Sequence, residues 1–196
     1  MLLSDQEIKK LAKEDGMITP FEERNLQSVS YDITAGNIAR VFNRLSDPID
    51  LNDKENIKLT YCEIDITDGY LIKPNEYMLV KSGEKYTLPD DIAAYARPRT
   101  TLSRLGLILT PQHFNPSFSG YIYYGLLNVT PNILKIYPGT SIGQIVFEKV
   151  YGALDKKNLY KNKTSAQYQN ENEFIIPDVN NTRPEIMVYV NGILGE

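Results

Sequence analysis

The sequence predicts a mainly β protein, a distorted barrel, jelly roll or sandwich with one short N-terminal helix. Three observations lead there. Short runs of β-branched and aromatic residues recur at close spacing, separated by Gly, Pro, Asn and Asp. Only one stretch carries apolar residues at helical spacing for long enough to form a sizeable helix. The composition, 42% hydrophobic and 23% charged over 196 residues, is that of an ordinary globular protein, long enough to bury most of its apolar surface in one domain.

The helix is expected over residues 5 to 15. Ser4 and Glu7 form a capping-box pattern, Ile8, Leu11 and Ala12 follow at helical spacing, and Gly16 supplies a stop. A strand is expected over 28 to 36, ending at a glycine turn, with another from Ile38 to Phe42. Residues 46 to 56 read as a polar, acidic loop. Tyr61 to Ile66 alternates, and Asp68-Gly69 marks a hairpin-type turn before Tyr70 to Ile72. Glu76 to Val80 and Lys85 to Leu88 add short strands. The strongest strand candidates are Ile92 to Ala96, Leu105 to Leu109, Tyr121 to Val129, Ile133 to Tyr137 and Ile142 to Val150, with a tight turn at Pro138-Gly139. Residues 155 to 173 are polar and rich in Lys and Asn. They read as a solvated tail or, because Tyr160 and Tyr168 lie among them, as a lid. Residues 185 to 190 are a last strand candidate within an extension over 174 to 196. The whole of 1 to 196 is expected to form a single domain.

Composition narrows the function. A net charge of −4 argues against broad binding to nucleic acid, which needs a basic face. No run approaches the roughly 18 apolar residues of a membrane span. The N-terminus lacks a basic region followed by an apolar core, so a cytoplasmic protein is expected. One cysteine, Cys62, and one histidine, His113, allow no intrachain disulfide and no His/Cys zinc cluster. The His-x-Glu and Cys-x-x-Cys of zinc nucleobase deaminases, the P-loop and the GxGxxG fingerprint are all absent.

The one dense cluster of ligand-type residues is Arg97, Arg99, Thr100, Thr101, Ser103 and Arg104. Guanidinium groups offer forked donors suited to phosphate oxygens, and the hydroxyls add short donors beside them. The apolar run from Leu105 would anchor the cluster on a rigid strand. Arginines close to a barrel core also need an anionic partner. The cluster therefore points to a polyanion-binding edge.

These segments resemble the dCTP deaminase branch of the dUTPase-like family, as a divergent member, over roughly residues 1 to 171. Leu3-Ser4-Asp5-x-x-Ile8 is similar to the branch's opening helix, and Ser28 to Gly36 to its "PASVDLRLG" segment. Arg99-Thr-Thr-Leu-Ser-Arg104-Leu-Gly-Leu resembles "RSSLARLGL", Asn115 to Gly120 stands where the branch has "DPGFEG", and Gln167 to Glu171 is similar to "KYQGQ". Asn128, Tyr137-Pro-Gly139 and Ile142 to Glu148 fit the remainder. The resemblance implies a dUTPase-like β-barrel, a homotrimer with sites between subunits, and a deoxypyrimidine triphosphate ligand whose phosphates hold Mg²⁺. By position it implies that Arg99, Thr101 and Arg104 hold phosphates and that Thr100 lies near the base. Tyr160, Gln167, Tyr168 and Glu171 fall on the tail that closes over the nucleotide. Gln167 replaces a lysine there, a loss of charge that Lys163 is placed to offset.

The catalytic positions depart from the pattern. The glutamate that serves deaminases of the branch as general base is matched by Gly125, which could admit a larger or modified base. The aspartate that the dUTPase branch uses is matched by Asn115, which accepts a hydrogen bond but takes no proton at neutral pH. Losing a general base costs roughly 10² to 10⁴ in rate, or about 3 to 5.5 kcal/mol of barrier. His113, two positions from Asn115 and on the same face of an extended strand, is the candidate replacement base, with Glu171 as the other. Two functions compete: a deoxypyrimidine triphosphate hydrolase with a rearranged site, and a non-catalytic nucleotide-binding sensor or regulator. A third reading is a trimeric scaffold that binds nothing specific.

Overall fold

In the computed structural model, which describes residues 1–182, helix α1 (Asp5–Glu14) begins at the expected capping box. Ser4 Oγ accepts from the Glu7 N–H at 3.4 Å, and the Glu7 carboxylate accepts from the Ser4 N–H at 3.2 Å. Ile8 and Ala12 are buried, and Lys10 and Lys13 face solvent. The chain then runs through β1 (Ile18–Thr19), β2 (Leu26–Gln27) and β3 (Ser30–Phe42). A second helix, α2 (Lys54–Leu59), precedes β4 (Tyr61–Asp65), β5 (Tyr70–Ile72), β6 (Tyr77–Ser82), β7 (Lys85–Thr87) and β8 (Ile92–Pro98). A one-turn helix, α3 (Thr100–Arg104), leads into β9 (Leu107–Leu109), β10 (Gln112–Phe114), β11 (Ser119–Gly120), β12 (Tyr123–Asn128), β13 (Leu134–Ile136) and β14 (Ser141–Lys149).

The main sheet follows the order β10-β8-β14-β3-β6-β12-β9, with β2 and β4 also paired to β3. Its two edges, β9 and β10, are consecutive in sequence, joined only by Thr110 and Pro111. So short a link forces the edges together, and the sheet curls toward a barrel. Its inner face is the core, where Tyr31, Ile33, Met78, Val80, Tyr124, Leu126, Ile145 and Phe147 are fully buried. Two small sheets, β1-β7-β11 and β5-β13, complete the described residues. No helix among them is long and apolar enough to cross a membrane.

Several local expectations differ from the structure. Gly36 ends no strand: β3 continues past it, pairing with β14 up to Thr34, with β6 from Ala35 across a register shift, and with β4 from Ile38. Glycine is required there by close approach, because a Cβ would stand 2.9 Å from the Lys81 carbonyl oxygen. The turn at Asp68-Gly69 exists, but β4 pairs with β3 and β5 with β13, so it closes no hairpin. The polar stretch after Ser46 contains α2, whose N-cap Asp53 accepts from the Glu55 and Asn56 N–H groups. The strand candidate over 185 to 190 lies outside the described residues.

Candidate functional site

The arginine and threonine cluster is itself the helix α3, not a strand, and Gly106 in the left-handed region turns the chain into β9 after it. Thr100, Thr101 and Arg104 are exposed. Arg99 is not: its Nη1 donates to Asp32 Oδ2 at 2.8 Å, and Asp32 is only 4% exposed. Gln27 and Gln144 also reach that carboxylate, at 3.4 and 3.5 Å. The anionic partner that the sequence required for Arg99 is thus a residue of the chain itself, and Arg104 in solvent requires none. The cluster by itself therefore does not exclude a scaffold that binds nothing.

A second group of candidate residues lines a cavity of about 470 Å³ on the outward face of the curled sheet. Strand alternation sends Met78, Val80, Tyr124 and Leu126 into the core and turns Tyr77, Leu79, Tyr123 and Gly125 to this side. Tyr77, Leu79 and Tyr123 line it with Phe42 and Tyr61. From β10 come Gln112 and His113, with Asn115 just beyond, and the tail contributes Tyr160, Tyr168 and Glu171. His113 Nε2 lies 3.2 Å from Asn115 Oδ1, the same-face relation expected from the sequence. Gln112 Nε2 donates to the Tyr123 carbonyl at 2.9 Å and ties the two strands at the seam.

The tail is docked. The Tyr121 N–H donates to the Glu171 carbonyl at 2.7 Å and the Asn170 N–H to the Ser119 carbonyl at 2.7 Å. Gln169 clamps the same turn, accepting from the Ser119 N–H and donating to the Ser117 carbonyl. Tyr160 Oη accepts from the Tyr168 N–H at 3.2 Å. Lys161 pairs with Asp90 at 2.7 Å, while Gln167 turns from the cavity and donates to the Ile176 carbonyl. Glu171 is 6% exposed, and burial pushes its carboxyl up to about 7, although it accepts from the Ile175 N–H and feels the Lys81 cation. Burial likewise raises the phenols of Tyr160 and Tyr168, and pushes Tyr123 up to about 12.

Sequence reasoning missed two contributors. Phe174, from the segment after the tail, stacks edge-on to Tyr61 and Tyr123, each at 4.9 Å, beneath the Arg40 guanidinium at 5.0 Å. Tyr77 is the other. A Cβ added at Gly125 would overlap the Tyr77 hydroxyl and stand 2.6 Å from Thr110 Oγ1. The room expected at Gly125 for a larger base is therefore already filled. Periodicity puts Tyr77 on an outward face, but its reach across β12 depends on strand pairing that no local signal encodes. The structure leaves the two groups of candidates apart, because no residue from Arg99 to Arg104 lines the cavity.

The curled β sheet that carries these groups is a fold shared with a solved protein. The dCTP deaminase of Agrobacterium tumefaciens superposes with a TM-score of 0.62 at 22% identity, covering 80% of this chain and 50% of that one. Residues 2–150 match the dCTP deaminase-like domain family, and the chain belongs to that family. It is 32% identical over 172 residues to the dUMP-forming dCTP deaminase of Leifsonia xyli, covering 82% of this chain and 86% of the relative. It is 31% identical over 192 residues to the dCTP deaminase of Helicobacter hepaticus, covering 91% and 98%. Phe174 and the docked tail lie beyond the family match.

Proposed function

We propose that this protein binds a deoxypyrimidine triphosphate (dCTP, dUTP or a base-modified relative) at sites between the subunits of a homotrimer, without rapid hydrolysis. The ligand class rests on the dCTP deaminases to which the chain is related. Position 125 carries the loss of turnover. It is glycine, and the Tyr77 hydroxyl occupies the space of its missing side chain, so no carboxylate stands there to activate water. Asn115 offers an amide where an aspartate would be needed.

In this reading Arg99, Thr100, Thr101 and Arg104 of one subunit hold the phosphates, with Thr100 nearest the base. The aromatic cavity of a neighbour takes the ring, and Tyr160, Tyr168 and Glu171 close over it. Guanidinium and hydroxyl donors suit an anion and not a metal, so Mg²⁺ arrives on the triphosphate oxygens. The role that fits is a cytoplasmic sensor or regulator of the nucleotide pool.

A second reading, a hydrolase with a replaced base, is favoured by His113 against Asn115 and by the near-neutral Glu171 carboxyl, both in the cavity. The two are separated by incubation with dCTP and with dUTP plus Mg²⁺, reading ammonia, dUMP and pyrophosphate, alongside calorimetric binding. Binding with turnover at least about 10²-fold below ordinary enzyme rates supports the first reading. Turnover near about 1–10 s⁻¹ that His113→Ala abolishes establishes the second.

A further inference from the structure

Gly125 and Tyr77 share one volume. The backbone of Gly125 does not lie in the left-handed region, so its conformation places no demand for glycine. Space does. Besides overlapping the Tyr77 hydroxyl, a side chain at 125 would stand 2.6 Å from Tyr77 Cζ. Tyr77 is fixed in that position. It pairs with Leu127 across β6 and β12, and its ring lies 5.6 Å from Phe42, which in turn packs at 5.0 Å on Tyr61. Among the described residues its hydroxyl has no hydrogen-bond partner, and Tyr77 lines the cavity.

We infer that Tyr77 is a base-binding residue of this cavity, whose phenol hydroxyl holds the polar edge of the bound pyrimidine from the place a side chain at 125 would occupy. This rests on the nucleotide reading above. The Gly125–Tyr77 pair sets what the cavity can do to a ring. A phenol both donates and accepts, so it satisfies an exocyclic oxo group or an exocyclic amino group equally well. Unlike a carboxylate, it takes no proton from water at neutral pH and carries no charge that would repel the triphosphate. The cavity is thereby built to hold the base by one neutral hydrogen bond and aromatic contact.

Tyr77→Phe deletes the hydroxyl while keeping the ring, so the fold is not at stake. Calorimetry with dCTP, dUTP and inorganic triphosphate, each with Mg²⁺, tests the inference on the wild type, Tyr77→Phe and Arg104→Ala. The expected result for Tyr77→Phe is a loss of about five- to tenfold in affinity for the tighter nucleotide, with inorganic triphosphate unchanged. Arg104→Ala should weaken all three ligands. Nucleotide affinities of Tyr77→Phe within about twofold of wild type would overturn the inference, as would an equal loss for inorganic triphosphate. A wild type that binds neither nucleotide removes the nucleotide reading and this one together; wild-type binding with an indifferent Tyr77→Phe removes this one alone.

Discussion

Arg99 and Arg104 bracket one helical turn, yet they stand in different surroundings. The Arg99 guanidinium neutralises a buried Asp32, so Arg99→Ala leaves that carboxylate with only two distant amides. A hydrogen bond to a charged group is worth about 1.5–3 kcal/mol, and each kcal/mol moves the melting temperature of a protein this size by roughly 2–4 °C. Arg99→Ala should therefore melt about 3–12 °C lower, whereas the exposed Arg104→Ala should stay within about 2 °C of wild type. Thermal melts of the two variants check this, and equal melting temperatures would remove the structural role given to Asp32. Arg104 is consequently the cleaner probe of phosphate binding. The sequence makes the cationic cluster plain because its members are neighbours. It hides the Arg99–Asp32 pair because the partners are 67 positions apart and meet only after β3 and β14 pair.

At the scale of elements, the tail is a docked strap whose hold depends on one carboxyl. Glu171 titrates from an ordinary 4.5 when undocked to about 7 when docked, so docking favours the protonated form. Its contribution is complete below about pH 4.5, shrinks as pH rises through 7, and is gone above that. The charged group facing it is Lys81, whose ammonium lies over the Tyr121 ring and donates to the Asn172 carbonyl, and the phenols of Tyr123, Tyr160 and Tyr168 feel the carboxylate. Hydrogen exchange of the Tyr121 amide, corrected for intrinsic rate, should lose about thirtyfold in protection between pH 5.5 and 8.5. Glu171→Gln, neutral throughout, should abolish that dependence, and an identical pH profile in both proteins would contradict the role. This strap was half legible. Its polar composition suggested a mobile lid, and the two tyrosines suggested a ligand contact. The clamp by Gln169 and the insertion of Phe174 were invisible, because each is made to a loop or strand far away in sequence. The short helices α2 and α3 were hidden for a different reason: one turn gives too little periodicity to separate helix from loop or strand.

At the scale of the whole molecule, one chain carries both halves of the proposed site but keeps them apart. Helix α3 sits before β9, an edge of the main sheet, while the cavity lies beside β10 and the strap. Along the β9 edge, Leu105, Ile108 and Val129 are 59%, 42% and 49% exposed, an apolar strip next to the cationic helix. Packing that edge against a second copy would bury the strip and carry Arg104 toward a neighbour's cavity, which is the arrangement proposed for the trimer. That arrangement has a consequence that a site within one chain lacks. Arg104→Ala and Tyr168→Ala should each weaken nucleotide binding alone, since one removes a phosphate ligand and the other part of the closing strap. If every site takes α3 from one subunit and the strap from the next, trimers reassembled from equal amounts of the two variants regain intact sites. Random mixing around a closed ring makes about a quarter of the sites whole. Calorimetry on the mixture, after unfolding and refolding together, should then recover about a quarter of the wild-type stoichiometry at wild-type affinity. Sites contained within single chains would recover nothing at any mixing ratio, because every chain in the mixture carries one defect.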